Sequence, residues 1–381
     1  GQVPGGVCPP SPPSMMLDIA IVGGGPVGLV AALEIRARGL SVVVLERRTG
    51  ALDKACGEGL MPSGRSALER LGVMRWLTPG DCAGFSAIRF VQEDGRGVEA
   101  QLTAPGGLGV RRTALRGALA SEAHARKIEV REGCAVRTHT VGADAVTLTT
   151  DAGDVSARFV VAADGLHSPM RRALGLERAA HGARRFGLRR HFGLPPWAPR
   201  VEVHLSAGVE AYVTPSGVNR VGVAFLWEDG DIPEPPDFDR LLSRFPVLME
   251  RLNGASEDTP VLGAGPMHQG VRARTAHRAA LVGDAAGYVD AITGEGLSMG
   301  FKQARVLAEV LPDALAAGAS VASLVRYESE SAKAFRRYAR LANAMLWTAQ
   351  RPRLRRFMVN RLIDAPWLAG MALRWAMTSG D

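Results

Sequence analysis

Hydrophobic and polar positions near the start of the chain form a strand–helix–strand pattern. The apolar runs LDIAIVG (17–23) and SVVVLE (41–46) are typical of strands buried in a parallel sheet. Between them, VGLVAALEIRARG (27–39) has helical spacing, and Gly39 ends the predicted helix. Strands that alternate with helices in this way predict an α/β fold with a parallel sheet.

The turn between the first strand and the helix, GGGPVG, contains the spacing G-x-G-x-x-G at Gly23, Gly25 and Gly28. Such glycines permit a tight turn, close approach of a pyrophosphate and helix–strand packing, and the helix N-terminus offers N–H groups to phosphates. Glu46 ends the second strand 18 residues after Gly28, near the spacing expected for an acid on a ribose hydroxyl. The pattern predicts a bound dinucleotide without separating NAD from FAD. A glycine-rich turn in another α/β fold is the alternative, and it leaves Glu46 unexplained.

Two later strands also end in polar residues. The stretch RFVVAADG predicts a buried strand that ends at Asp164 and Gly165, and RAALVGD predicts one that ends at Gly283 and Asp284. Ligands bind at the carboxyl ends of the strands of a parallel sheet, so these residues are candidates for the dinucleotide site. For Asp284 the alternative is a helix N-cap.

In chain order, the motifs G-x-G-x-x-G, D-G-x-x-S-x-x-R and G-D resemble those of the FAD-dependent aromatic-hydroxylase-type monooxygenase superfamily, which includes a geranylgeranyl-reductase-like branch. The resemblance covers roughly residues 16–320. It implies an α/β fold in which a Rossmann-like FAD-binding domain has an inserted, mainly antiparallel β-sheet substrate domain and C-terminal helices. We therefore divide the chain into a flexible leader at 1–14, a discontinuous FAD-binding domain at 15–82, 103–178 and 271–323, a substrate-binding β-sheet domain at 83–102 and 179–270, and a C-terminal helical segment at 324–381.

The resemblance also assigns residues to FAD. The matching positions are Gly23, Gly25, Pro26, Val27, Gly28, Glu46, Arg47, Cys56, Gly57, Arg112, Asp164, Gly165, Gly283, Asp284, Gly294, Gly296 and Leu297. In the family, the first glycines and Glu46 hold the ADP half, Asp284 bonds the ribityl chain, and Asp164 supports the pyrophosphate region. Arg112 matches an R-x-x-L-x-x-x-L helix whose arginine contacts the cofactor, and neighbouring Arg111 is the alternative.

The loop ALDKACGEGLMPSG follows the second strand, and its CGEGL element resembles that of the reductase-like branch and of related bacterial monooxygenases. Its glycines would let the backbone approach the flavin or substrate. Cys56 is either a redox thiol or a small apolar wall residue; we favour the wall because no resolving Cys or His is near in sequence. Glu58 either bonds the flavin or substrate or caps the turn. The next helix is predicted to begin with Ser63 as its cap and to end at Gly72.

The second glycine loop, from Asp290 to Leu297, is the expected spatial partner of this loop. In the family it lies against the isoalloxazine ring, where N–H groups at a helix N-terminus stabilise negative charge on the reduced flavin. Its TGEG sequence is like that of the reductase-like branch. The hydroxylases usually have proline at the position of Ala291 and commonly asparagine at that of Ser298, so the chain departs from simple phenol hydroxylases.

Alternating residues predict antiparallel strands within 184–228 and 83–102, which in the family form a sheet over the flavin. The candidate pocket residues are Cys56, Glu58, Tyr212, Trp227 and Asp290, and the sheet adds His191, Phe192, His204 and Phe225. A core position is the alternative for each aromatic residue, because alternation turns only some of them toward the flavin. The W-x-F-P element of the reductases is here YVTP, which counts against a close geranylgeranyl reductase. The sequence has no W-x-W-x-I-P motif, which counts against a tryptophan-type halogenase.

Composition narrows the class of protein. The 381 residues have a net charge of +8 and are 46% hydrophobic, as in an ordinary globular chain. Four cysteines without a C-x-x-C pair or metal-ligand spacing favour a reduced, cytoplasmic protein without a metal site, and no nucleic-acid-binding module is recognisable.

The segment 324–375, with RPRLRRFMVNRLI and APWLAGMALRWAM, predicts helices that cap the pocket or touch a membrane surface. We favour a packed helix with a solvated basic face.

The motifs and the resemblance together predict an FAD-dependent monooxygenase that hydroxylates or epoxidises an apolar or aromatic small molecule, as in the tailoring of natural products such as antibiotics. NAD(P)H, directly or through a separate flavin reductase, would supply electrons, and O2 would form a flavin C4a-hydroperoxide. The first alternative is a flavin-dependent reductase of an isoprenoid-like C=C bond. The second is a non-catalytic protein that keeps the FAD fold to bind a partner.

Overall fold

A computed structural model describes residues 16–51, 53–179, 184–232 and 236–364. Its strands are β1 (Leu17–Val22), β2 (Val42–Glu46), β3 (Gly59–Leu60), β4 (Cys82–Phe85), β5 (Ala87–Val91), β6 (Gly97–Gln101), β7 (Gly107–Val110), β8 (Glu129–Glu132), β9 (Val136–Val141), β10 (Val146–Thr150), β11 (Gly153–Ala162), β12 (Glu177–Arg178), β13 (Arg185–Gly193), β14 (Arg200–Ser206), β15 (Val209–Gly217), β16 (Arg220–Glu228), β17 (Ser256–Glu257), β18 (Leu262–Ala264), β19 (Gly270–Val271), β20 (Thr275–Ala276) and β21 (Ala279–Leu281). Its α-helices are α1 (Pro26–Arg36), α2 (Pro62–Arg70), α3 (Arg112–Ala125), α4 (Pro169–Ala173), α5 (Phe238–Leu242), α6 (Pro246–Leu252), α7 (Gly296–Ala316), α8 (Val325–Ala349) and α9 (Pro352–Asp364).

The first sheet has the strand order β20-β21-β11-β1-β2-β8, and β10 and β9 extend it from β11. The neighbouring pairs from β21 to β8 are parallel, which confirms the predicted parallel α/β sheet. One face packs on a core that includes α1, α3 and α7, and the other face packs on the β9–β10 hairpin. Because both faces are covered, the strands are continuous runs of apolar residues.

The carboxyl ends of four strands meet at one edge of this sheet. In the register, Val22 at the end of β1 is opposite both Ala162 of β11 and Leu45 of β2, and Ala162 is opposite Leu281 of β21. The glycine turn, Glu46 and the two later polar strand ends therefore lie close together, as the sequence predicts.

The second sheet has the order β17-β13-β16-β15-β14-β5-β6 and is antiparallel except for the parallel pair β5–β14. This confirms the predicted antiparallel sheet. One part of the predicted sheet differs: β4 pairs with β7, which also pairs with β3, in a separate three-stranded sheet. The two faces of the second sheet border different apolar clusters, so alternation along each strand decides which cluster a residue joins.

The helix after the CGEGL loop begins earlier than predicted. Met61 is its N-cap and Pro62 its first residue, so the assignment of Ser63 as the cap is wrong. Proline suits the first helical position because its fixed φ is helical and the missing N–H would have had no partner. The predicted end is confirmed, since α2 stops at Arg70 and Gly72 follows with a φ of +77°.

The C-terminal segment forms two helices, α8 and α9, as predicted. Val359 of α9 packs on Val98 and Ala100 of β6. The predicted helical sequence APWLAGMALRWAM and the leader at 1–14 lie outside the described residues. Among the helices that the structure does describe, none combines the length and the apolar composition needed to cross a bilayer.

Candidate active site

The glycine turn after β1 is packed too tightly for side chains at two of its three motif positions. A Cβ on Gly23 would lie 2.4 Å from the carbonyl oxygen of Ala163, and one on Gly28 would lie 2.0 Å from that of Gly23. Gly25 differs, because a Cβ there would meet nothing within 4 Å. The fold therefore requires Gly23 and Gly28, whereas Gly25 borders open space at the start of α1.

The first turn of α1 begins in this open space. Gly25 is the N-cap and has no side chain to accept a hydrogen bond from the helix, and Pro26 follows as the first helical residue. The backbone N–H groups of Val27 and Gly28, in the first turn of the helix, have no partner among the described residues and are available to another acceptor. Open space beside such N–H groups fits an anion such as a pyrophosphate.

Glu46 is fixed at the edge of the same turn. Its Oε2 accepts a hydrogen bond from the backbone N–H of Gly24 at 2.7 Å, and Oε1 accepts one from that of Arg48 at 2.9 Å. The residue is 7% exposed. The carboxylate thus lies where a ribose beside the turn would meet it, while Arg47 is exposed and its assignment to the cofactor stays a prediction.

The motif that starts at Asp164 forms a buried, hydrogen-bonded turn. Asp164 accepts hydrogen bonds from the Ser168 hydroxyl and, at 2.9 Å, from the backbone N–H of Met170. Burial raises the pKa of Asp164 although these hydrogen bonds oppose the rise. Arg171, fully buried, donates to the carbonyl oxygen of Ala285 at 3.3 Å. The motif therefore ties the end of β11 to the turn that follows β21.

Asp284 lies in that turn and pairs with a lysine. The distance from its Oδ2 to Lys54 Nζ is 3.1 Å. Burial by itself would raise the pKa of Asp284, but the positive charges of Lys54 and Arg112 outweigh burial and lower it. The N-cap alternative for Asp284 is wrong, because Val282 is the cap of the 3-10 turn Gly283–Ala286 and no side chain caps it. Sequence reasoning missed Lys54.

Arg112 borders the cavity and has an unused donor. Its Nη1 is buried and has no hydrogen-bond partner among the described residues. Arg111 does not border the cavity, and its Nη2 lies 3.5 Å from Asp53. A buried guanidinium N–H without a partner is costly unless an acceptor binds it. Nε of Arg111 is also buried without a partner among the described residues, but Arg111 does not border the cavity, so Arg112 is the better candidate for a phosphate bound there.

A cavity of about 370 Å³ joins Lys54, Arg112 and Asp284 to the second sheet, whereas the glycine turn after β1, Glu46 and Asp164 are not part of its lining. This volume is in the range of small-molecule sites. Its polar lining includes Lys54, Arg112, Asp284 and the backbone of both glycine loops, with Cys56, Gly57, Gly294, Gly296 and Leu297. Its apolar lining includes Met61, Phe85, Ile88, Val201, Val203, Ala224, Leu226, Met267, Leu341, Met345 and Leu362. The two glycine loops are brought together, as predicted, at the boundary between the polar and apolar linings.

Cys56 borders the cavity as a neutral thiol. Burial raises its pKa, and the positive charge of Arg112 opposes this only in part. A thiol with a raised pKa has little thiolate at neutral pH and is a poor nucleophile. The environment is that of a wall residue rather than of a redox thiol.

Glu58 lines the cavity and belongs to a buried network. Its Oε1 accepts a hydrogen bond from the backbone N–H of Arg112 at 2.9 Å, and its Oε2 lies 2.5 Å from His191 Nε2. Arg189 Nη1 lies 3.0 Å from Nδ1 of the same histidine. Glu58 thus holds the first residue of α3, which agrees with the capping alternative. Sequence reasoning missed its partners because they lie on β13, far along the chain.

Asp290 does not border the cavity, which corrects the prediction that it is a pocket residue. Its Oδ2 lies 2.8 Å from Nε of Arg185, whose Nη2 lies 2.5 Å from Glu210. Burial raises the pKa of Asp290 to about 6, and the charge of Arg185 only partly opposes this. Asp290 therefore belongs to a buried cluster of one arginine and two carboxyl groups.

Trp227 is likewise outside the cavity lining, whereas Tyr212 is part of it. The Trp227 ring stacks on Phe186 with centroids 6.1 Å apart, next to the apolar cluster on the other face of the sheet. Tyr212 is opposite Ala224 in the register, three residues before Trp227, so the two rings face opposite sides. Of the other sheet candidates, His191, Phe192 and His204 do not border the cavity. Phe225 is part of its lining, but its ring packs on Phe238, with centroids 4.8 Å apart, in the cluster on the other face of the sheet.

Glu295, in the second glycine loop, is the acid that sequence reasoning did not single out. It borders the cavity with a half-buried side chain, and within the described ranges no hydrogen bond or charge acts on the pKa of its carboxyl group. Burial raises its pKa to about 7. A carboxyl group with that pKa can give or take a proton near neutral pH. The TGEG motif contained this residue, but sequence alone did not reveal its burial.

The part of the chain that contains the glycine turn matches a known protein family. Residues 16–223 match the family described as FAD binding domain. The menaquinone reductase of Mycobacterium tuberculosis is 28% identical over 319 residues, which cover 77% of this chain and 76% of the relative. Digeranylgeranylglycerophospholipid reductase 2 of Methanopyrus kandleri is 28% identical over 351 residues, 84% of this chain and 85% of the relative.

Hydroxylases are also among the similar proteins. Aklavinone 12-hydroxylase of Streptomyces peucetius is 34% identical over 192 residues, which are 44% of this chain and 39% of that protein. Among solved structures, p-nitrophenol 4-monooxygenase of Pseudomonas putida has a TM-score of 0.79 and 21% identity, and the match covers 96% of this chain and 98% of that one. At this identity the structural likeness shows the fold alone.

Proposed function

The chain belongs to the FAD binding domain family, within the aromatic-hydroxylase-type superfamily that includes the geranylgeranyl-reductase-like branch, and on this premise we propose a specific activity. It is a monooxygenase that uses NAD(P)H and O2 to hydroxylate or epoxidise an apolar or aromatic small molecule. The observation that supports this most is the cavity, in which residues that fit FAD adjoin a mainly apolar lining. Such a lining suits a substrate with few polar groups.

The polar side of the cavity and the glycine turn after β1 together fit FAD. The open space at Gly25 and the first turn of α1 would receive the pyrophosphate, together with the unused N–H of Arg112. Glu46 would bind the ribose, and Asp284, kept ionised by Lys54, would accept hydrogen bonds from the ribityl hydroxyls. Bound FAD would supply hydride acceptance from NAD(P)H and the activation of O2.

The chain itself would orient the substrate, exclude water and hold a proton. The apolar side chains of the second sheet and of α8 border the space beside the two glycine loops and would keep water from the reacting atoms. Glu295 would hold or deliver a proton there, because its raised pKa of about 7 keeps both protonation states populated near neutral pH. Cys56 would contribute shape only.

Reduction of an isoprenoid-like C=C bond is the second candidate. It is favoured by the menaquinone reductase and the digeranylgeranylglycerophospholipid reductase described above, which match 77% and 84% of the chain and are both named reductases. Glu295 is equally suited to this reaction, which needs a proton beside the hydride. Both candidates share the site and differ in whether O2 is consumed.

The test is turnover of purified protein, loaded with FAD, in air and under anaerobic conditions. NADH and NADPH would each be supplied with a panel of naphthols, alkylphenols and polyprenyl quinones, and products would be identified by mass spectrometry. We expect a product with one added oxygen atom that forms only in air. A product with two added hydrogen atoms that forms without O2 would favour the reductase, and failure to bind FAD would contradict both.

A further inference from the structure

The positive charge of the chain is concentrated in its C-terminal helices. Residues 331–363 contain nine basic residues and no acidic residue. Because the whole chain has a net charge of +8, the remaining residues together have a net charge of −1. Charge asymmetry of this size favours contact with an anionic surface.

The same helices expose large apolar side chains. Trp347 is 52% exposed and Phe357 is 58% exposed. The guanidinium group of Arg351 lies 4.1 Å from the centroid of the Trp347 ring, and that of Arg361 lies 5.3 Å from the centroid of the Phe357 ring. Exposed aromatic rings interleaved with arginines are typical of helices that lie in the interface of a membrane.

The opposite side of α9 packs on the second sheet. Val359 is buried against β6, and the buried Arg355 pairs at 2.6 Å with Glu93 in the turn between β5 and β6. The inner side thus fixes α9 on the second sheet, as expected for a packed helix. The outer side, which we call the basic face, comprises Arg340, Trp347, Arg351, Arg353, Phe357 and Arg361, all of which are exposed.

We propose that the basic face docks the protein onto an anionic lipid bilayer. The arginines are attracted to the negative surface of the bilayer, and each adds to the binding free energy. Trp347 and Phe357 enter the boundary between headgroups and acyl chains, where amphipathic helices bury their apolar residues. The helices lie in the plane of the membrane surface.

The cavity lies next to the proposed docking surface. Leu341 and Met345 of α8 and Leu362 of α9 are part of its apolar lining. The helices that would contact lipid are therefore also walls of the cavity.

A nucleic acid is the other anionic polymer that arginines attract. It would make use of the charge of the basic face but would not require exposed aromatic rings that enter a hydrocarbon phase. Replacement of Trp347 and Phe357 therefore separates the two partners, because it leaves the net charge unchanged.

The experiment is sedimentation of the FAD-loaded protein with vesicles. We expect binding to phosphatidylcholine vesicles that contain phosphatidylglycerol, weak binding to phosphatidylcholine alone, and release at high salt. The triple variant Arg351→Gln, Arg353→Gln, Arg361→Gln should lower the partition coefficient on the order of 100-fold. The control variant Arg137→Gln, Arg172→Gln, Arg305→Gln makes the same change in net charge at exposed sites elsewhere and should stay within about threefold of the wild type.

A second variant tests the apolar contribution. Trp347→Ser with Phe357→Ser should reduce vesicle binding at least about tenfold and leave any binding of a short DNA duplex unchanged. Equal binding to both kinds of vesicle, or equal loss in the two arginine variants, would overturn the proposal. So would unchanged vesicle binding by the aromatic variant. Flavin absorbance and thermal unfolding of each variant show whether it is folded, and neither readout depends on the proposed reaction.

Discussion

The two sides of the candidate site, the dinucleotide turn and the apolar lining of the cavity, are built on different principles. On the cofactor side, positions are fixed by backbone atoms: Gly23 and Gly28 have no room for a Cβ, and two backbone N–H groups hold Glu46. On the substrate side, the lining consists of apolar side chains from several separate elements, such as Phe85, Val203 and Met345. Cores and pockets of this kind tolerate exchange of similar volumes. The glycine turn therefore has little freedom to change, whereas the apolar lining of the cavity can change while keeping its volume.

The largest expected effect on stability and on FAD binding is that of a substitution at Gly28. In Gly28→Ala, the new Cβ would lie 2.0 Å from the Gly23 carbonyl oxygen, so the turn must move. We expect a loss of at least about 3 kcal/mol in the free energy of unfolding, together with loss of FAD. Chemical denaturation and flavin absorbance measure the two effects.

Gly25→Ala is the matched control for that variant. Its Cβ meets no protein atom within 4 Å, so the free energy of unfolding of the apoprotein should change by less than about 1 kcal/mol. FAD affinity should nevertheless fall, because the cofactor is proposed to approach this position. Equal stability loss in the two variants would show that the turn is not packed as described.

A smaller effect is expected when the unused donor of Arg112 is removed. Arg112→Gln should weaken FAD binding roughly 10- to 100-fold, the range for loss of a hydrogen bond to a charged group. Arg111→Gln, its neighbour outside the cavity lining, should weaken FAD binding less than about threefold. Titration of apoprotein with FAD, followed by flavin fluorescence, measures both. The assignment of Arg112 fails if Arg111→Gln has the greater effect.

The free energy of unfolding is expected to depend on pH through Glu295, which borders the cavity. The pKa of Glu295 is raised from 4.5 to about 7 by burial, so the folded state binds its proton more tightly than the unfolded state does. Its contribution to stability is present at acid pH and is lost as pH rises from about 4.5 to about 7. In apoprotein at pH 8, Glu295→Gln should therefore increase the free energy of unfolding by about 2 kcal/mol, which is less than the roughly 3.4 kcal/mol of the full pKa difference because the side chain is only half-buried. The gain should be smaller at pH 5.5, and a pH-independent difference would contradict the burial of a free carboxyl group.

The smallest effect is expected at Cys56. As a wall residue with a neutral thiol, it can be replaced by alanine with less than about 1 kcal/mol loss in the free energy of unfolding. Flavin reduction by NAD(P)H, measured anaerobically by stopped-flow absorbance, should change less than about threefold. Abolished reduction in a folded, FAD-loaded Cys56→Ala protein would instead make this thiol part of the chemistry.

The cofactor side was the more predictable part because its signals are local in sequence. The strand β1, the glycine turn, helix α1 and Glu46 lie within 30 consecutive residues, and each has a residue type dictated by backbone geometry. That the carboxyl ends of β1, β2, β11 and β21 lie together followed from the rule that ligands bind at carboxyl ends. Even here, Lys54 was missed, because its partner Asp284 is 230 residues away.

The substrate side was predicted as a sheet but not as a set of residues. Alternation shows that Tyr212 and Trp227 face different ways only once the register of β15 with β16 is known, and sequence does not supply the register. Asp290 pairs with Arg185 and Glu58 pairs with His191, and no local motif links these two residues of β13 to their partners. The burial that raises the pKa of Glu295 depends on tertiary packing in the same way.

The most direct test of the proposed monooxygenase is turnover in isotopically heavy dioxygen. FAD-loaded protein would be given NAD(P)H and the apolar compound that most stimulates NAD(P)H oxidation, and the product would be analysed by mass spectrometry. We predict one heavy oxygen atom in the product, with the other atom released as water. A product that contains no heavy oxygen, formed equally well without dioxygen, would contradict the proposed monooxygenase reaction and identify the chain as a reductase.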